Sequence, residues 1–228
     1  MNLHGTGLNV FETILARRSV RSYRDEDLDR KTIHTLLEAA VRAPTAVQEE
    51  PWAFVIVQDR QLLRRLSERA KPLYADELQR AGAPRANQRV ETVSGPDFNL
   101  FHDAGTLILI CAKPDGAFVA ADCWLAAENL MLAACAMGLG SCVIGSAMPT
   151  LNLAETKSEL GIPPEYSAVA PIIVGCPRGE TPMTTRREPA VLAWLGEDKA
   201  LPPQPSPSAL VRYPGVESGP ARSSRNCS

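Results

Sequence analysis

The order of apolar and polar residues along the chain predicts a sheet protein with interspersed helices. Four apolar runs have the length and composition of buried strands. They are Trp52–Val57, Thr106–Ala112, Ser141–Ile144 and Ala168–Val174. The segments between them repeat apolar residues at the helical period. Strands separated by helices indicate an α/β or α+β fold in one compact unit.

Local helix signals divide the segments between the strands. Asn9, followed three residues later by Glu12, is a capping-box start for a short helix. Asp29 precedes a second helical period that must end before Pro44, and Asp59 caps a third. A long central helix is predicted over 117–137, and a further helix begins at Thr150 or Asn152 and ends by Gly161.

Two polar regions have no clear period. Residues 75–100 are interpreted as a lid-like loop, or a short helix with irregular flanks. Residues 201–228 contain six Pro and six Ser, a composition typical of a linker or a disordered tail. We therefore predict one domain over residues 1–200 and a C-terminal tail over 201–228, which is either disordered or an arm that crosses a partner.

The central helix is apolar enough to raise the question of a membrane span. It carries Asp122, Glu128 and Asn129, and such groups are costly in lipid. A buried core helix is therefore predicted, with no membrane partner. The N-terminus has neither a basic region nor an apolar region typical of a secretory signal, so a cytoplasmic location is expected.

Composition narrows the function further. The 228 residues hold 24 Lys+Arg and 26 Asp+Glu, for a formal charge of −2; this balance argues against a nucleic-acid binder. Only three histidines occur and no C-x-x-C pair is present, so no metal site is predicted. Cysteines in apolar runs, such as Cys111 and Cys135, are expected to be reduced and buried.

A basic run at the end of the first helix is the strongest candidate for chemistry. Arg17, Arg18, Ser19 and Arg21 place three guanidinium groups and a hydroxyl within five residues. Guanidinium groups offer paired donors that match phosphate geometry. Taken alone, such a run is more typical of a solvated basic surface.

Several weaker signals accompany the basic run. Thr45 and Gln48 place a hydroxyl and an amide in the loop before the first strand. Gly140 and Gly145 bracket the third strand, where glycine permits close approach of a ligand to the backbone. Each also has an ordinary explanation, as a loop residue, a helix stop or a strand end. The pair Arg186-Arg187 adds two cations, and no P-loop, G-x-S-x-G or H-E-x-x-H motif occurs.

Four segments in this order resemble the FMN-dependent nitroreductase family. They are RRSVR (17–21), APTAVQEEPWAFVIV (43–57), ENLMLAACAMGLGSCVIG (128–145) and VGCPRGE (174–180). The likeness extends over about residues 10 to 195. It implies an α+β fold with a central, mostly antiparallel sheet flanked by helices. It also implies a homodimer formed through the long central helix, with FMN bound at the dimer interface.

The resemblance also assigns roles to residues. Arg17, Ser19 and Arg21, with Arg18 between them, match the run that contacts the flavin ring and phosphate, and Thr45 and Gln48 match positions beside the flavin of the partner subunit. Gly145 and Ser146 match the segment whose backbone faces the ring near N5, and Arg187, with Arg186 beside it, matches a late cation at the phosphate. The chain departs from the family in two places. The usual Asn-x-Gln is here Gln48-Glu49-Glu50, and the usual Ala-Pro is Ala104-Gly105.

The implied activity is FMN-dependent oxidoreduction. NADH or NADPH would give a hydride to flavin N5, and a small electron-poor acceptor such as a nitroaromatic, a quinone or an activated alkene would then receive it in a ping-pong mechanism. No catalytic side chain is predicted, because the cofactor carries the chemistry. Two alternatives stay open, namely dehalogenating or oxygen-dependent flavin chemistry on the same fold, and a non-catalytic FMN-binding or storage protein.

Overall fold

A four-stranded antiparallel sheet forms the centre of the computed structural model, which describes residues 7–46, 50–82 and 86–196. Its strands are β1 (Trp52–Val57), β2 (Thr106–Ala112), β3 (Gly140–Val143) and β4 (Ser167–Gly175). The spatial order is β1-β2-β4-β3, and all three pairings are antiparallel. The predicted strands are confirmed, and β3 is an edge strand.

Seven α-helices occur in the part of the chain that the structure describes. They are α1 (Val10–Ala16), α2 (Arg30–Ala40), α3 (Arg60–Arg80), α4 (Ala86–Ser94), α5 (Val119–Ala136), α6 (Met148–Leu151) and α7 (Ala154–Glu159). A 3₁₀ turn, Gly145–Ala147, connects β3 to α6. The predicted caps are confirmed, because Asn9 and Glu12 form a complete capping box and the side chains of Asp29 and Asp59 accept backbone N–H groups.

Helices cover both faces of the sheet because the strands are apolar on both sides. Ile108 and Ile110 of β2 belong to the same buried cluster as residues of α2 and α5. Leu107 and Leu109 point to the opposite face and belong to a second cluster with residues of α3. Successive strand residues face opposite sides, so a fully apolar strand requires this double cover. The α+β fold is therefore confirmed.

The prediction for residues 75–100 was wrong in part. α3 continues through Pro72 to Arg80, and α4 follows after a short connection. The buried Lys71 stabilises this arrangement, since its Nζ donates to the carbonyl oxygen of Gly95 (3.1 Å) and pairs with Glu68 (2.6 Å). The single helix predicted after Thr150 is likewise two short ones, α6 and α7.

The central helix α5 is a core helix, as predicted. It is long and apolar enough to cross a membrane by composition alone. However, Cys123, Ala126, Ala127, Leu130 and Ala134 are fully buried against α2 and the sheet. The apolar residues on this face of α5 are thus explained by packing within the protein.

The described residues fall into two units, 7–181 and 182–196. The first contains the sheet and the helices. The second has no helix or strand among its described residues and exposes Leu192, Trp194 and Leu195. The predicted domain boundary and the proposed tail lie outside the described residues, so both stay predictions.

Candidate functional site

The basic run lies across one end of the sheet. α1 ends at Ala16, and the following residues form a bridge between Ser19 and Ser141 of β3. The backbone N–H of Val20 donates to the carbonyl oxygen of Ser141 (3.0 Å). Further on, Tyr23 bridges to Pro177 just beyond β4. The backbone of the run is therefore attached to β3 and to the residues that follow β4.

Close packing holds this segment in place. Tyr23 is buried, and its hydroxyl donates to the carbonyl oxygen of Val20 (2.7 Å). Burial raises the pKa of Tyr23 well above its ordinary value. A Cβ atom at Gly140 would lie 2.8 Å from the side-chain atoms of Val20, and one at Gly175 would lie 3.0 Å from the ring of Tyr23. Glycine at 140 and 175 thus allows the segment to approach the sheet.

Two of the predicted arginines line a cavity of about 170 Å³. It is lined by Arg17 and Arg18, by Gly140 and Ser141 of β3, and by Cys135 of α5. Burial raises the pKa of the Cys135 thiol, while the positive charges of Arg17 and Arg18 oppose the rise. Cavities that hold whole small molecules usually measure about 300–1,000 Å³, so this one suits a single anionic group rather than an entire nucleotide.

The two arginines differ in their other contacts. The Arg18 guanidinium donates to the carbonyl oxygens of Leu15 and Arg17, so it caps the C-terminal end of α1. Arg17 Nε lies 3.5 Å from Glu128 Oε1 on α5. Both guanidinium groups are half-buried and retain further N–H donors, since each carries five.

Ser19 and Arg21 complete the basic run on its exposed side. Arg21 Nη1 makes one long contact of 3.5 Å, to the carbonyl oxygen of Ser19. The pKa of the half-buried His102 is lowered, first by burial and then by the charge of Arg21. Among the described residues, Arg21 forms no ion pair, so its exposed guanidinium can turn toward a ligand.

Gly145 and Ser146 lie at the other end of β3, in the 3₁₀ turn. Gly145 follows Gly140 by five residue steps, which span at most about 16 Å in an extended chain. A Cβ atom at Gly145 would meet nothing within 4 Å. The backbone is therefore accessible here, as the predicted close approach of a flat ring requires.

The loop that carries Thr45 is held by a residue that sequence reasoning did not assign to the site. Asp122, in the first turn of α5, is 5% exposed. Its two carboxylate oxygens accept the backbone N–H of Ala46 at 3.2 and 3.3 Å. In the sequence, Asp122 and Glu128 stand out only as charges in an apolar helix. A carboxylate in an apolar helix is a sequence signal for a tertiary contact, because a buried carboxylate requires hydrogen-bond donors.

Among the described residues, only Arg17 and Arg18 of the predicted site residues line the cavity. Its lining does not include Ser19, Arg21, Thr45, Gly145 or Ser146. Gln48 lies outside the described residues. Arg186 and Arg187 belong to the second unit, where both are exposed. Their contacts with a ligand stay predictions.

A larger cavity of about 420 Å³ lies beside Tyr23 and contains four arginines. Three of them already face carboxylates, as Arg24 pairs with Glu26, Arg60 with Asp25 and Asp27, and Arg64 with Asp103. Because these charges are mostly neutralised, the smaller cavity at Arg17 and Arg18 is the better anion site.

Gly105, one of the two departures from the family pattern, also has a structural reason. A Cβ atom there would lie 2.7 Å from Asp27 Oδ1 and 2.8 Å from the carbonyl oxygen of Glu26. Any larger residue would displace this chain segment. The departure therefore reflects local packing.

Apolar side chains remain exposed on α1 and α5. Val10, Phe11 and Ile14 of α1 are 69, 67 and 51% exposed, and Trp124 and Leu125 of α5 are 42 and 46% exposed. These side chains of α1 therefore do not pack into the core of their own chain. An apolar groove of about 630 Å³ lies alongside, between α2 and α5.

Comparisons with known proteins agree with this arrangement. The sequence profile of the Nitroreductase family matches residues 14–176. An Archaeoglobus fulgidus protein provisionally named NADH dehydrogenase/NAD(P)H nitroreductase is 29% identical over 172 residues, which are 73% of this chain and 84% of the relative. An iodotyrosine deiodinase of Thermotoga neapolitana is 24% identical over 182 residues, covering 78% of this chain and 94% of the relative.

Among solved structures, a Bacteroides fragilis nitroreductase with bound FMN is 27% identical, with a TM-score of 0.69. The match covers 83% of this chain and all of that one. The ordered motifs, the antiparallel sheet with helices on both faces and the match over most of the chain all support one assignment. The chain belongs to the nitroreductase family.

Proposed function

We propose that this protein is an FMN-dependent oxidoreductase that uses NADH or NADPH to reduce a small electron-poor acceptor. The supporting observation is the cavity lined by Arg17 and Arg18 beside the edge strand β3, in a chain of the nitroreductase family. Bound FMN would supply the redox chemistry, with NADH or NADPH as the reductant and a nitroaromatic, a quinone or an activated alkene as the acceptor in alternating half-reactions.

The residues present suit the two ends of this cofactor. A phosphate fits the cavity, because two half-buried guanidinium groups face it and each has donors to spare. A ring fits the opposite end of β3, because Gly145 leaves the backbone open. The five residue steps from Gly140 to Gly145 span at most about 16 Å, which suits the extended length of a mononucleotide.

Each part of the chain has a separate task in this proposal. Arg17, Arg18 and Ser19 bind the phosphate, and Arg21 turns toward the ring, where its positive charge stabilises the added negative charge of the reduced cofactor. The backbone at Gly145 and Ser146 orients the ring. No general acid or nucleophile is required of the protein.

We further propose that the protein acts as a cytoplasmic homodimer. The exposed apolar side chains of α1 and α5, among them Phe11 and Trp124, are suited to contact a second copy. Thr45 and Gln48 would then reach the cofactor of the partner subunit. The 170 Å³ cavity is too small for a whole nucleotide, which is consistent with a site completed by two chains.

The proposal is tested by purifying the protein and titrating it with FMN. We expect a yellow protein with one FMN per chain, whose absorbance near 450 nm is bleached anaerobically by NADH or NADPH and returns when a nitroaromatic or quinone is added. Light scattering should give a dimer. A colourless protein that does not bind added FMN would refute the proposal, and tight FMN binding without reduction would favour a storage protein.

A second candidate reaction is reductive dehalogenation. The observation that favours it is the match to the Thermotoga neapolitana iodotyrosine deiodinase over 94% of that relative. Both reactions would use the same bound FMN, so the cavity at Arg17 supports them equally.

Product analysis separates the two reactions. The reduced protein would be offered a nitroaromatic and a halogenated phenol in parallel, with oxygen as a competing acceptor. Release of halide at a rate above that of nitro reduction would favour dehalogenation, and amine or hydroxylamine products alone would favour nitro reduction.

A further inference from the structure

The buried carboxylate of Asp122 is tied to a loop that lies 76 residues earlier in the chain. Both of its oxygens accept the backbone N–H of Ala46, at 3.2 and 3.3 Å. The residue is 5% exposed and lies in the first turn of α5. The positive end of the helix dipole favours a carboxylate at this position.

Within the described ranges, Asp122 forms no ion pair. Its charge is therefore balanced by the helix N-terminus and by the N–H of Ala46, rather than by a cation. A buried carboxylate is unfavourable unless such donors are fixed. The interaction thus stabilises the buried carboxylate and, at the same time, restrains the backbone of the loop at Ala46.

The loop in question leads from α2 to β1 and carries Thr45 next to the anchored residue. Thr45 is half-buried and Pro44 precedes it. The position of the Thr45 hydroxyl therefore depends on where the peptide of Ala46 is held. Nothing in the hydride chemistry itself requires a carboxylate at Asp122.

We propose that Asp122 is a positioning residue for the cofactor: its buried carboxylate fixes the backbone at Ala46, and this places Thr45 against the bound flavin. The inference rests on the proposed function, because it assumes that the loop contacts FMN. Asp122 acts through the loop and makes no contact with substrate.

The test compares Asp122→Ala and Asp122→Asn with wild type. Loss of a hydrogen bond to a charged group should raise the dissociation constant of FMN at least about tenfold in Asp122→Ala. Asp122→Asn keeps one acceptor oxygen and should have a smaller effect. The matched control is Asp29→Asn, since Asp29 also accepts a backbone N–H, that of Thr32, but at the far end of α2; it should leave FMN affinity unchanged.

A double-mutant cycle with Thr45→Ala separates positioning from a general loss of stability. If Asp122 acts through the loop, Asp122→Ala combined with Thr45→Ala should bind FMN no more weakly than Asp122→Ala alone. Additive losses, or an unchanged FMN affinity in Asp122→Ala despite a lower melting temperature, would overturn the inference.

Hydrogen exchange of the apoprotein provides a readout that does not depend on FMN. The amide of Ala46 should exchange faster in Asp122→Ala than in wild type, and equal rates would overturn the inference. If wild type itself fails to bind FMN, the proposed function is wrong. The exchange rates would still test whether Asp122 restrains the backbone at Ala46.

Discussion

Arg17 Nε lies 3.5 Å from Glu128 Oε1, so a cation of the proposed phosphate site already has an acidic neighbour on α5. The two side chains are 22 and 48% exposed. A pair with this exposure contributes only about 0.2–1 kcal/mol. Glu128 therefore competes with an incoming phosphate for Arg17 without holding it firmly.

Replacing Glu128 by Gln should accordingly raise FMN affinity. Removal of the competing charge should lower the dissociation constant by up to about fivefold at low salt, and the gain should shrink as salt screens the phosphate. Titration of the apoprotein by flavin fluorescence measures this. Glu155→Gln, at a carboxylate that pairs with Arg69 on α3, is the control. A loss of affinity in Glu128→Gln would instead mean that Glu128 preorganises Arg17.

Arg18 and Arg21 should have separable effects, because only Arg18 is part of a helix end. Arg18→Ala removes two hydrogen bonds to backbone carbonyls and should lower apoprotein stability by about 1–2 kcal/mol as well as weaken FMN binding. Arg21→Ala should leave the melting temperature of the apoprotein unchanged and weaken FMN binding in a salt-sensitive way. Unchanged FMN affinity in Arg21→Ala would remove the role proposed for Arg21.

Gly140→Ala should damage the site through packing alone. Its Cβ would lie 2.8 Å from Cβ, Cγ1 and Cγ2 of Val20, and overpacking of this kind costs about 1–3 kcal/mol. Because Val20 lies within the basic run, FMN affinity should fall as well. Combining Gly140→Ala with Val20→Ala should restore part of both losses, as measured by urea unfolding and FMN titration. If the second substitution recovers neither, the contact with Val20 is not the cause.

Gly145→Ala should show the opposite pattern. A Cβ at this position meets nothing within 4 Å in the protein itself, so apoprotein stability should be unchanged or slightly higher. If the flavin ring lies against this backbone, the added methyl group should raise the FMN dissociation constant about tenfold. Equal FMN affinity in wild type and Gly145→Ala would place the ring elsewhere.

Alkaline pH should destabilise the fold through buried thiols. Burial raises the pKa of Cys111 to about 12 and that of Cys123 to about 11, from an ordinary value of 9.0. Above pH 9 the unfolded chain loses these protons while the folded protein keeps them. The free energy of unfolding should therefore decline by up to about 1.4 kcal/mol per pH unit for each thiol.

Urea unfolding at pH 8, 9 and 10 under reducing conditions measures that decline. The double variant Cys111→Ala/Cys123→Ala should show a flatter dependence on pH than wild type, whatever its absolute stability. The same slope in both proteins would assign the effect to other groups, such as the buried Tyr23.

The parts of the fold that could be predicted from the sequence are those determined by interactions between residues close together in the chain. Asp59 caps α3 through the N–H groups of Gln61 and Leu62, and such a signal lies within four residues of sequence. The length of α3 could not be predicted in this way. It continues through Pro72 while Lys71 reaches the carbonyl oxygen of Gly95, 24 residues away, and no local pattern records that contact.

The same distinction applies to the site. The residue types of Arg17 and Arg18 indicated an anion, and the structure places both on one cavity. The acidic residues that contact Arg17 and the loop of Thr45 could not be assigned to the site from the sequence. Glu128 meets Arg17, and Asp122 meets Ala46, only after α5 packs beside the earlier segments. Their roles are consequences of tertiary packing.

The bridge between Ser19 and Ser141 also protects the sheet. Ser141 pairs with Val174 of β4 on one side and with Ser19 on the other, so the outer margin of β3 is not left open. Uncovered margins of this kind act as templates for pairing between molecules and lead to aggregation. A chain shortened to begin after residue 21 should therefore lose solubility as well as its arginines. The segment proposed to bind the cofactor thus also shields the edge of the sheet from pairing with other molecules.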